Sequence, residues 1–154
     1  MKCLIIAAGR GSRLSTESKP KPLVPLLGIP LIERVIRTVK EAGIDDFYVV
    51  TGYEAETIQT FLENLAQNIN VNITTIFNDQ WANTENGISV LKAQDYLKEP
   101  FLLLMSDHLF DPAIVRELIA QPLRNDEIYL VVDRNITSPL IDLEDVTRVK
   151  TAGG

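Results

Sequence analysis

A chain of 154 residues, 45% hydrophobic and 23% charged, has the composition of one ordinary globular domain. Its formal net charge of −6 argues against a general nucleic-acid binder, and no apolar run approaches the ~20 residues of a membrane span. Cys3 is the only cysteine, which excludes an intrachain disulfide and a cysteine-based metal site.

Segments of two periodicities alternate along the chain. Residues 3–8 (CLIIAA) form a short apolar run, as in a central parallel strand buried on both faces. That run is shorter than a signal-peptide core of roughly 7–15 residues, so a reducing cytoplasm is expected, with no membrane contact from this segment. Leu31, Ile32, Val35, Ile36 and Val39 then recur at helical spacing over residues 30–42, with Pro30 suited to the first turn and Gly43 to the cap. Residues 46–51 (DFYVVT) read as a second strand. A helix over 54–67 follows, with Ile58, Phe61, Leu62 and Leu65 on one face and Glu54 and Glu56 near its positive end. Residues 71–77 (VNITTIF) alternate and are β-branched, which suits a third strand near an edge. A polar loop over 78–86 leads to a weaker helix over 87–98. Residues 101–105 (FLLLM) are the fourth strand, and Asp111-Pro112 opens a helix running to about residue 120. Further strands are expected at 127–133 (EIYLVVD) and 147–151 (TRVKT).

This order implies right-handed βαβ units in an α/β fold: a mainly parallel sheet between two helical layers. No internal repeat or linker interrupts it, so residues 1–154 are expected to form a single domain. The terminal strand runs into Gly153-Gly154 like a hairpin arm without its second arm. The chain is therefore expected to be truncated at its C-terminus, a fragment of a longer protein.

The commonest order for the first four strands, 3-2-1-4, sets strand 1 beside strand 4 and opens a crevice at their carboxyl ends. The loop after strand 1 and Ser106-Asp107-His108 after strand 4 must meet there. The amino end of the helix after strand 3, near residues 83–87, should overhang the same crevice. The first of these loops is basic: Arg10, Arg13, Lys19 and Lys21 are four of the chain's fifteen Lys and Arg, opposed only by Glu17. In an acidic chain, such an excess points to a bound polyanion. A dinucleotide fingerprint would need glycine at position 14, where Leu14 stands, and it opens directly into a helix. Here Pro20, Pro22 and Pro25 keep the segment extended. A Walker loop would need Gly-Lys-Ser/Thr, which is absent. What remains is a glycine turn with free backbone N–H groups, Arg13 placed for a bidentate grip and Lys21 for a point charge. A solvated loop tied down by prolines is the bland alternative.

Asp107 ends an apolar strand; beside a triphosphate it would most simply hold Mg²⁺, which takes one or two carboxylates plus phosphates and water. It could instead cap the following helix, for which Asp111 is better placed. His108 is the only histidine, equally a hydrogen-bonded structural residue or a participant. Trp81 could stack on a base or anchor its loop, and Tyr53 is similarly open.

Together LIIAAGRGSRL, KPLVPLLGIPLIERVI, AGIDDFYVVTGY, TENGIS and Ser106-Asp107-His108 resemble, in order, the sugar-1-phosphate nucleotidyltransferases. These have the nucleoside-diphospho-sugar transferase fold, a three-layer α/β/α arrangement on a Rossmann-like sheet. The Asp-His pair and VVDR…DLEDVTRV look most like the inositol-1-phosphate cytidylyltransferases, and residues 84–89 nearly as much like the phosphocholine cytidylyltransferases. The resemblance implies transfer of a nucleoside monophosphate, CMP favoured, from NTP to a phosphorylated polyol or sugar, with release of pyrophosphate. By position, Ala8, Gly9, Gly11 and Ser12 would contact the nucleotide, and Arg13 would hold its pyrophosphate. Lys21 would hold the reacting phosphates, Asn86 and Gly87 would lie against base and ribose, and Asp107 would bind Mg²⁺. Ser12 replaces a common threonine and Ser106 a common glycine. Members of the family usually run longer, and the absent part supplies much of the acceptor pocket and a second acidic metal ligand. The alternative of another class is a non-catalytic nucleotide-binding regulatory module. The expected partners are thus a nucleoside triphosphate and a phosphorylated small molecule; oligomeric state is not legible.

Overall fold

The computed structural model describes residues 1–11, 19–124, 126–135, 146–147 and 149–150, which fall in two units, Met1–Ala120 and Gln121–Gly154. In the first, β1 (Lys2–Ala7) is buried on both faces from its second residue onward. It pairs in parallel with β4 (Asp46–Thr51) on one side and β6 (Phe101–Met105) on the other. Beyond β4 lies β5 (Asn72–Phe77), so the four-stranded order is β5-β4-β1-β6. This is the 3-2-1-4 order expected, and it sets the ends of β1 and β6 side by side.

Strand alternation divides the core. Cys3, Ile5 and Ala7 face one helical layer, built from α1 (Leu31–Glu41), α2 (Ala55–Ile69) and α4 (Pro112–Ile119). Leu4, Ile6 and Ala8 face the other, where Ala93, Val90 of α3 (Asn86–Lys92) and Trp81 pack. Period-2 strands sandwiched between amphipathic helices leave β1 the best-shielded element of the described chain.

Caps follow from the residue types. Gly43, at φ +96°, ends α1 as expected. Asp111 caps α4, its carboxylate accepting from the Ala113 N–H at 2.7 Å, so Asp107 is left for other work.

Three expectations need correction. The proline-rich loop is not extended throughout: residues Lys21–Leu23 form one 3₁₀ turn, closed by the Leu23 N–H donating to the Pro20 carbonyl at 2.8 Å. Proline's fixed φ fits 3₁₀ geometry as well as extended backbone. A two-residue hairpin, β2 (Pro25–Leu26) with β3 (Ile29–Pro30), then leads into α1, pinned by Arg34 of α1 donating to the Leu26 carbonyl. Second, α3 stops at Lys92 rather than 98, and turns carry the chain to β6. Third, 127–133 is not a strand: it has no ladder partner among the described residues of its unit, and a strand exists only as part of a pair. In the segment 147–151, residues 148 and 151 lie outside the described residues, and no strand is present in the rest.

Candidate active site

The crevice starts where β1 runs out. Ala8 is buried, its carbonyl accepting the Tyr53 N–H at 2.9 Å, and the chain turns through Gly9, Arg10 and Gly11. Gly11 sits at φ +63°, and a Cβ there would fall 2.5 Å from the Lys21 Cβ and 2.6 Å from its Cδ. Glycine is therefore required twice, once for the backbone and once so that the Lys21 stem can cross the turn. The 3₁₀ turn holds Lys21 at this angle, with Pro22 buried and Leu23 packed against the core.

Across that turn the Lys21 Nζ lies 2.5 Å from the Asp107 Oδ2. Asp107 is carried by β6, whose pairing with β1 extends one residue further through the Ser106 N–H donating to the Ile6 carbonyl at 3.2 Å. The His108 Nε2 stands 4.0 Å from the other carboxylate oxygen, on a largely exposed ring. The Lys21 and Asp107 side chains are 27% and 17% exposed, so the pair is mostly shielded but reachable from solvent. A phosphate on Lys21 and a cation on Asp107 would each restore the charge partner lost when the pair opens.

On the far side of the turn, Gly52 and Tyr53 follow β4. A Cβ on Gly52 would meet the Trp81 Cβ at 2.5 Å and the Ala8 carbonyl oxygen at 2.7 Å. Trp81 fills that gap and sets its ring edge-on to Tyr53, centroids 5.5 Å apart. Its loop is fixed by Asn78, buried at the end of β5, whose amide donates to the Ser89 hydroxyl at 3.1 Å and whose oxygen accepts the Gln80 N–H at 3.0 Å. Asn86 and Gly87 then form the exposed first turn of α3.

Of the residues singled out from sequence, Lys21 and Asp107 are thus brought into contact, and Gly11 is the support beneath Lys21. Arg13 and Ser12 lie outside the described residues. The Gly52–Trp81 packing and the seat of Tyr53 were missed, although a glycine before the tyrosine and a lone tryptophan in a polar loop were visible signals. A shallow depression lined by Thr51, Thr75 and Phe77 also carries Glu54 and Glu56, the wrong charge for a polyanion. No group of three His, Cys, Asp or Glu able to hold a metal occurs among the described residues. Asp107, a partly exposed carboxylate at the strand ends, is the donor type that Mg²⁺ takes when its remaining ligands are substrate phosphates and water.

A parallel sheet whose glycine turn, lysine and aspartate converge at the strand ends defines a doubly wound α/β domain with a candidate ligand crevice at its switch point. The model of the MobA-like NTP transferase domain matches residues 3–147, and the chain belongs to that family of nucleotidyltransferases. It is 32% identical over 151 residues to the bifunctional IPC transferase and DIPP synthase of Rubrobacter xylanophilus, covering 97% of this chain and 32% of that protein. The solved inositol-1-phosphate CTP transferase from T. maritima matches with a TM-score of 0.67 and 22% identity, over 82% of this chain and 49% of that one. The CTP:phosphocholine cytidylyltransferase from Streptococcus pneumoniae matches with a TM-score of 0.58 and 30% identity, over 73% and 49%. The chain spans only 26% to 36% of the length of the first curated relatives, among them the bifunctional protein GlmU of several Methanococcus strains. No helix among the described residues is long and apolar enough to cross a membrane.

Proposed function

We propose that this chain carries the nucleotide half of an enzyme that transfers CMP from CTP to inositol 1-phosphate and releases pyrophosphate. The observation that carries the reading is the 2.5 Å contact of Lys21 with Asp107 over the glycine turn. It joins the two loops that a doubly wound sheet sets at its ligand crevice.

In this reaction a phosphate oxygen of the acceptor attacks the α-phosphorus of CTP. A new P–O bond forms as the bond to the bridging oxygen of the β-phosphate breaks, and the electron pair leaves with pyrophosphate. The protein's part is positioning and charge neutralisation. The backbone N–H groups of the Gly9–Gly11 turn face phosphate oxygens, Lys21 leaves Asp107 to bridge the reacting phosphates, and Arg13 holds the departing pyrophosphate. Asp107 would hold Mg²⁺, which supplies Lewis-acid neutralisation of phosphate charge when bound. Asn86 and Gly87 lie against base and ribose in this reading.

The choice of CTP leans on the two solved cytidylyltransferases, of which the match covers 49% each. The 30% identity with the phosphocholine enzyme supports phosphocholine as the alternative acceptor. Survival of both Lys21 and Asp107 favours an enzyme over a non-catalytic nucleotide-binding module. A thermal-shift titration with Mg²⁺ and CTP, UTP, GTP, ATP or dTTP tests the base, since only a ligand bound by the folded state raises the melting temperature. CTP is expected to give the largest shift. A preference for UTP or dTTP overturns the cytidylyl assignment and leaves the reaction class; no shift with any of the five overturns the nucleotide site itself.

A further inference from the structure

Tyr53 and Trp81 take no part in the chemistry above, yet they are built into the rim of the same crevice. The Tyr53 N–H is bonded to the Ala8 carbonyl at 2.9 Å, which fixes the residue against the last turn of chain before Gly9. Its ring is held edge-on by Trp81, and Trp81 has its place only because Gly52 carries no side chain. On this ring lies the Arg10 guanidinium, its carbon 5.7 Å from the centroid and within the range of a cation–π contact. Arg10 stands between the two glycines of the turn.

We infer that Tyr53 is a positioning residue of the phosphate site: its ring carries Arg10 and holds that cation beside the turn where the triphosphate binds. The inference rests on the triphosphate reading above. An arginine left free in solvent samples many rotamers, and ordering it on binding costs conformational entropy. Stacking it beforehand removes part of that cost and keeps its charge at the crevice mouth. Lys21 is held in the same way on the other side of the turn by Asp107. The turn is then flanked by two pre-placed cations from different segments, one on a carboxylate and one on an aromatic face.

The ring acts through its π-face, so the hydroxyl is dispensable and the face is not. The test is calorimetric titration of sodium tripolyphosphate into the whole chain and its variants, each checked for an unchanged melting temperature. Tyr53→Phe should bind as the wild type does. Tyr53→Leu, which keeps apolar bulk against Trp81, and Arg10→Ala should each weaken binding by roughly two- to fivefold. The double variant should be no weaker than Arg10→Ala alone, because Tyr53 acts only through Arg10. Wild-type affinity in Tyr53→Leu, or losses that multiply in the double variant, overturns the inference and leaves the phosphate site standing. Failure of the wild-type chain to bind tripolyphosphate overturns both.

Discussion

Lys21 reaches Asp107 because Gly11 has no side chain. Gly11→Ala would add a Cβ inside the lysine stem at a positive φ, so it should displace Lys21 from the aspartate. Tripolyphosphate binding by Gly11→Ala is expected to fall to the level of Lys21→Ala by calorimetry. Wild-type affinity in Gly11→Ala would mean that the stem simply moves aside. Lys21 and Asp107 were legible in the sequence for a local reason. One is a cation in a basic, proline-marked loop, the other a carboxylate spent at the end of an apolar strand. The Tyr53–Trp81–Arg10 stack was not legible: its members come from three segments, and their meeting depends on how β1, β4 and the loop after β5 pack.

The elements were readable where one periodicity dominated. DFYVVT and FLLLM became β4 and β6 at the expected residues, because apolar runs of that length are stable when paired on a sheet and covered. The strand order followed from chain connectivity, since short right-handed crossovers leave few alternatives. Sequence reading was weakest where the structure depends on partners. Residues 127–133 have the pattern of a strand but no mate among the described residues of their unit, and the prolines near Lys21 admitted two backbone forms. The loop after β5 depends on a buried polar pair, Asn78 with Ser89, that no periodicity reveals. Ser89→Ala leaves the Asn78 amide donor without that acceptor, and unfolding in urea should show a loss of about 1–3 kcal/mol. A stability within ~0.5 kcal/mol of wild type would show that water or a shifted loop replaces the serine.

At the scale of the molecule, the most shielded strand carries the only thiol. Cys3 is fully buried on β1, and burial pushes its thiol well above the ordinary thiol range. Above about pH 8.5 the unfolded chain releases this proton while the folded chain keeps it. Linkage then makes stability fall as pH rises, by up to about 1.4 kcal/mol per pH unit from this one group. Urea unfolding between pH 7 and 10 should show a steeper decline for the wild type than for Cys3→Ala; parallel profiles would contradict it. Charge is distributed just as unevenly. The net charge is −6, yet Arg10, Arg13, Lys19 and Lys21 fall within twelve residues of sequence, and Arg10 and Lys21 stand at the glycine turn. A polyanion bound there, as proposed, would be held largely by charge, so its binding should weaken as salt rises.

A nucleoside triphosphate is proposed to bind where Lys21 meets Asp107. The most direct test is calorimetric titration of CTP with Mg²⁺ into the chain and into Lys21→Ala. The wild type should bind saturably at one site, and Lys21→Ala should lose roughly tenfold or more in affinity with its melting temperature unchanged, the loss expected for one charged hydrogen bond. Equal affinities in the two proteins would place the nucleotide away from Lys21.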